Sequence, residues 1–158
     1  MRQYNRIHPR LKDYDYSQNG AYFVTICCKN HRCLLGDIVG RAAHSAPQME
    51  LSSYGEVVER YIKTIPGVVK YVIMPNHVHL IISIVDNDGV MRASRPTQSV
   101  STRIRSMKTL VTKSLGQSIW QTSFHDRIIR DEEEYRMIWR YIDENPLKWE
   151  LDKYYAQR

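Results

Sequence analysis

Apolar positions along the chain recur with two periods, and the changes between them predict the elements. AYFVTICCKN, residues 21–30, is rich in aromatic and β-branched residues and reads as a strand. HRCLLGDIVG can return as a short edge strand, and RAAHSAPQME, with Pro47 inside it, reads as a loop. In ELSSYGEVVERYIKTI, Val57, Val58, Tyr61, Ile62 and Ile65 have helical spacing, and Pro66-Gly67 stops the helix. VVKYVIMPNHVHLIISIV is too long for one strand. Pro75-Asn76 splits it into VVKYVIM and HVHLIISIV, joined by a tight turn.

Asp86-Asn87-Asp88-Gly89 ends the second of these, and a polar segment runs to Pro96. Val100, Ile104, Met107 and Val111 then mark an amphipathic helix, basic between its apolar positions and ended by Gly116. SIWQTSFHDRIIR is strand or extended. Asp131 can N-cap a last helix, with acids in its first turn to suit the dipole, and Pro146 limits that helix at Asn145. The order is strand, helix, two hairpinned strands, helix, strand, helix. Two right-handed βαβ units in this order predict an α+β, ferredoxin-like (RRM-like) fold: a four-stranded antiparallel sheet, two helices on one face, and an extra C-terminal helix. Residues 1–158 read as a single domain, with a basic N-terminal arm at 1–18 and a short C-terminal tail at 146–158.

Length and composition fit a globular domain, and no apolar run is long enough to span a membrane. The start has no apolar signal core, so a cytoplasmic protein with reduced thiols is expected; Cys27, Cys28 and Cys33 are odd in number and form no CxxC pair. The net charge of +6 is moderate, but its placement is uneven. Arg2, Arg6, Arg10 and Lys12 precede the first acid. Arg92, Arg95, Arg103, Arg105, Lys108 and Lys113 lie in a stretch with no acid at all. A polyanionic partner and a merely solvated surface both fit this distribution.

His77 and His79 flank Val78 on a predicted strand. Residues two apart share a face at about 7 Å, so the two imidazoles can share one metal ion while Val78 and Leu80 point into the core. On this reading neither histidine is a core residue. Plain polar alternation on an exposed strand face would place them equally well. Tyr141 borders the apolar stripe of the last helix with Tyr135, Ile138 and Ile142, and Asn145 lies one turn further on. Taken alone, these are an ordinary amphipathic tyrosine and a helix C-cap.

VIMPNHVHLII resembles the His-hydrophobic-His signature of the HUH endonucleases. WQTSFHDRIIRDEEEYRMIWRYIDENP resembles the C-terminal half of the single-tyrosine HUH transposases of bacterial insertion sequences, and DYDYSQNGAYFVTICCKNHRCLLG fits their REP-associated branch. The similarity runs from about Tyr14 to Trp149. It implies that His77 and His79 bind a divalent metal, Mg2+ or Mn2+, with Asn145 as an amide ligand. It implies Tyr141 as the nucleophile, forming a 5′-phosphotyrosyl link during cleavage and transfer of single-stranded DNA near hairpins. The partner implied is single-stranded or hairpin DNA, bound by a monomer or homodimer, with phosphate contacts from Arg103, Arg105, Lys108 and Lys113 and from the arm. Two other readings keep the same fold: a non-catalytic nucleic-acid-binding protein, and a metal-dependent phosphodiesterase that uses water and does not need Tyr141. His125, an aromatic position in many relatives, and the segment 39–48 carry no assigned role.

Overall fold

The computed structural model of the protein describes residues 19–40, 46–85 and 98–155. The basic arm, the middle of the 39–48 segment, and Arg92 and Arg95 lie outside the described residues. Four strands form the main sheet: β1 (Gly20–Cys27), β4 (Val68–Met74), β5 (His77–Ile84) and β6 (His125–Ile129), in the order β4-β5-β1-β6 with every neighbour antiparallel. This is the ferredoxin-like order expected from the sequence. Helices α1 (Ser53–Ile62) and α2 (Val100–Leu115) pack side by side on one face, and α3 (Glu132–Glu144) covers the other.

The period of two in β1 and β5 separates the faces. Tyr22, Val24, Ile26, Val78, Leu80, Ile82 and Ile84 pack with Val58 and Ile62 of α1 and with Val100, Ile104, Met107 and Val111 of α2. Ile81, Ile129, Ala21, Phe23 and Val72 point the other way, against Ile138 and Ile142 of α3. Local signals fix the helix ends. The Ser52, Ser99 and Asp131 side chains accept from the backbone N–H three residues on, satisfying donors that the first turn leaves free. Gly116, at φ 70°, closes α2 in the left-handed region that a side chain disfavours.

The loop reading of residues 48–50 is corrected to strand. The short strand expected after β1 forms, outside the main sheet. Its residues Gly36–Val39 (β2) pair antiparallel with Gln48–Leu51 (β3), part of which reads as loop in the sequence, in a separate two-stranded sheet. The reason lies in the backbone. Leu35 donates to the Pro75 carbonyl and accepts from Ser52, which turns the chain away from β1. Four-residue strands with one half-exposed face are too short for a clear period-two signal. The three cysteines are free thiols.

Candidate active site

The site forms at the end of the sheet where β1 finishes and β5 begins. The turn at Pro75-Asn76 is pinned by its carbonyls, which accept from Leu35 and from Cys28. His77 then lies opposite Cys27 of β1, and His79 opposite Thr25. Both imidazoles point to the α3 face, as their spacing predicts. They are not surface residues, however: His77 is 0% exposed and His79 1%. The expectation that neither belongs to the interior is therefore corrected. Trp149 and Tyr154 of the C-terminal segment and Tyr141 of α3 close over them, with ring centroids 6.0 Å and 4.7 Å from His77 and 5.2 Å from His79 respectively.

The outer nitrogen of each ring is fixed. His77 Nδ1 lies 2.8 Å from Asn76 Oδ1. The Asn76 Nδ2 atom donates to the backbone oxygens of His31 and Tyr154, so its Oδ1 must be the acceptor, and His77 carries its proton on Nδ1. That leaves a bare lone pair on His77 Nε2, which faces His79 Nε2 at 3.0 Å. His79 Nδ1 lies 2.8 Å from the Thr25 hydroxyl, which can donate or accept. When Thr25 accepts, both Nε2 lone pairs face each other, an arrangement that needs a cation between them. Burial holds both rings neutral. It pushes His77 down to about 3, helped by the nearby charge of Lys153. It also pushes His79 well below its ordinary value, helped by His77. Neutral imidazole is the form a metal binds.

Tyr141 and Asn145 come from the end of α3. The Tyr141 hydroxyl lies 3.2 Å from His79 Nε2 and donates to Asp152 Oδ2 at 3.4 Å. Its ring meets Phe23 and His79 edge-on. Burial, then the Asp152 charge, pushes its hydroxyl up to about 12, while a hydrogen bond from the Asn145 side chain acts in the opposite sense. Asn145 is 2% exposed, and its Oδ1 is buried without a partner. A buried acceptor without a donor is costly, and a cation within its reach would satisfy it. The donor set present, two neutral imidazoles and a free amide oxygen, fits a divalent ion.

Asp152 was not visible as a site residue in the sequence, where residues 146–158 read only as a tail. Its carboxylate lies 4.0 Å from His77 Nε2, and together with His77 and His79 it could hold a metal ion. Buried Trp149 anchors this segment, and its indole meets Tyr155 edge-on. A Trp three residues before an Asp is the only trace of this in the sequence, and such a pair has no specificity by itself. His125 sits on the edge strand opposite Thr25, on the same sheet face as the histidine pair.

The four basic residues of α2 divide into two pairs. Arg103 donates to the carbonyls of Pro66 and Gln98, and Lys108 to those of Gln121 and Thr122. Their charges remain, but these donors are engaged with backbone. Arg105 and Lys113 line an open cleft beside α2 with Lys108 between them. The helix itself packs on the sheet face opposite the histidines. No helix among the described residues is long and apolar enough to cross a membrane.

Comparison with known proteins bears on this geometry. The profile of the family described as "Transposase IS200 like" matches residues 17–145. An uncharacterised protein of Haemophilus influenzae is 35% identical, over 93% of this chain and 91% of its own length. A second protein of that organism, provisionally named a REP-associated tyrosine transposase, is 26% identical over 85% of this chain and 74% of its own. A solved structure of a REP-associated tyrosine transposase bound to a REP hairpin superposes with a TM-score of 0.60 at 24% identity. The match covers 90% of this chain and 77% of that one, and it shows a shared fold.

Proposed function

Since the chain belongs to the IS200-like transposase family, we propose that it cuts and rejoins single-stranded DNA with Tyr141 as nucleophile and His77, His79 and Asn145 as ligands of a divalent ion. The observation that carries this reading is the Tyr141 hydroxyl at 3.2 Å from His79 Nε2, itself 3.0 Å from His77 Nε2. Nucleophile and metal pair thus share one pocket, as an attack on a bound phosphate requires.

A divalent ion, Mg2+ or Mn2+, supplies charge withdrawal from the scissile phosphate. The chain's own groups do the rest. Asn76 and Thr25 hold the imidazoles in orientation. Tyr141 Oη bonds to phosphorus as the P–O3′ bond breaks, and its proton lies toward Asp152 Oδ2. The leaving O3′ takes up a proton. The product is a 5′-phosphotyrosyl link and a free 3′-hydroxyl, and the bond energy is kept, so another 3′-hydroxyl can reseal the strand. The histidines are buried and the hydroxyl of the partly exposed Tyr141 is hard to ionise, so Tyr141 is expected to react only with substrate and ion bound. The hairpin carried by the solved relative supports a hairpin-bearing substrate here.

Incubating the protein with a DNA hairpin carrying an unpaired flank, in Mn2+, is expected to give a covalent adduct that survives denaturation. Tyr141→Phe is expected to abolish the adduct while DNA binding persists. An undiminished adduct in that variant sinks the assignment. Cleavage with no adduct favours a phosphodiesterase that uses water.

A further inference from the structure

A cleft of about 1340 Å3 opens between α2 and the loop at residues 118–124, beside the 3-10 turn that follows β1. Lys29, Arg105, Lys108 and Lys113 line it, and no acidic residue does so among the described residues. Its walls are pre-formed. Lys108 ties α2 to the carbonyls of Gln121 and Thr122. Gln121 N–H donates to the Cys27 carbonyl, and Lys29 N–H to that of Ile119, fixing the loop to the end of β1. Cys27 lies opposite His77, so this tie joins the cleft wall to the strand position beside the histidine site.

Two side chains lining this cleft hold buried N–H groups with no acceptor among the described residues. Trp120 is 4% exposed, and its Nε1 has no partner. His31 Nε2 faces the Gln121 amide nitrogen at 3.2 Å and must accept there, so His31 carries its proton on Nδ1, also buried without a partner. Asn30 and His31 both adopt left-handed backbone, at φ 56° and 50°, an uncommon state for residues with a side chain. That turn places the His31 ring at 5.8 Å from Tyr154, which lies at 4.7 Å from His77. The rings form a row from the cleft to the metal pair.

Unpartnered N–H donors buried in the wall of a basic cleft fit a ligand that is polyanionic and rich in acceptors. They also fit a thin one. Trp120 is too deeply set for the phosphates of a duplex, which lie on the outside of a wide rod, whereas a single strand can enter a groove and present base edges and phosphates together. We propose that this cleft holds the unpaired DNA strand running to the scissile phosphate, with Trp120 and His31 donating to it and Lys29, Arg105 and Lys113 along its backbone. The inference rests on the reading of the protein as a single-strand DNA enzyme and names where the unpaired strand lies.

The test compares two labelled probes, an oligothymidine of about 20 nucleotides, longer than the roughly 4–16 that a single-strand site covers, and a blunt DNA hairpin with no unpaired flank. The variant is Lys29→Glu with Trp120→Phe, which reverses one rim charge and removes one donor while keeping an aromatic ring. Affinity for the oligothymidine is expected to fall about ten-fold, with a shallower salt dependence, and affinity for the blunt hairpin to fall less than two-fold. If the loss on the oligothymidine does not exceed that on the hairpin by at least about five-fold, the cleft is not the single-strand path. Thermal melting of the variant checks that it is folded, and Trp120→Phe alone, the milder change, serves if the pair is not. Wild-type protein that binds oligothymidine through the cleft but forms no adduct leaves this inference standing and sinks the catalytic one. An adduct formed with the oligothymidine affinity unchanged in the variant does the reverse.

Discussion

The two faces of the sheet are built from the same strands and have opposite characters. Toward α1 and α2 the buried residues are almost all aliphatic or aromatic, and the helices cover them completely. Toward α3 the apolar cluster shrinks to Ile81, Ile129, Ile138 and Ile142, and beside it His77, His79 and Asn145 are buried with polar partners or with none. One strand serves both. In β5, Val78, Leu80 and Ile82 face the helices while His77 and His79 face the site. The lesson is that the main apolar core and the buried polar cluster lie on opposite sides of one sheet, so polar groups can be buried where they do not weaken that core.

The largest expected effect tests the site face. His79→Ala should lower metal-dependent adduct formation by more than the ~100-fold typical of losing a mere outer partner, and Mn2+ binding measured by calorimetry should be lost with it. A melting temperature measured alongside checks that the variant is folded. A variant that stays active and binds Mn2+ normally would end the division of roles. The mirror experiment lies one residue away. Leu80→Ala should cost about 2–5 kcal/mol in urea unfolding through lost burial and the cavity left behind, while the adduct yield of the protein that remains folded should match wild type.

Acid should sharpen the contrast. His77 is held down to about 3 in the folded protein, against 6.5 when free. Between those values the unfolded chain binds a proton that the folded one refuses, so stability must fall as pH drops from about 6.5 toward 3. Each such histidine contributes a slope of about 1.4 kcal/mol per pH unit. Urea melts with a chelator present should record this slope in wild type and in Leu80→Ala alike, and a shallower one in His77→Gln. Smallest is Gly116→Ala. Nothing crowds a side chain there, so only the left-handed backbone resists, at about 1 kcal/mol.

Most of the fold was legible because its signals are local. Helix α2 begins and ends at the residues its spacing indicates, the Pro75-Asn76 turn splits the long apolar run, and Asp131 caps α3. The histidine pair was legible for the same reason, since a period of two fixes a shared face. What stayed hidden depends on contacts between distant parts. The burial of His77 is caused by Trp149 and Tyr154, far along the chain. Asp152 enters the site through a turn of three residues that no periodicity marks. Arg103 and Lys108 look like free phosphate contacts in the sequence, because a carbonyl that will accept their protons has no letter of its own.

The strand order also sets a sequence of events in time. The β4–β5 hairpin closes through a two-residue turn and can form within microseconds, as short-range hairpins do. β1, though made first, is the central strand and must wait for partners from residues 77–84 and then 125–129. Tyr141 and Asn145 sit on the helix after that, and Asp152 later still. A ribosome therefore makes His77 and His79 more than sixty residues before Tyr141, and on the proposed reading a nascent chain carries the metal-binding pair before it carries the residue that would attack DNA.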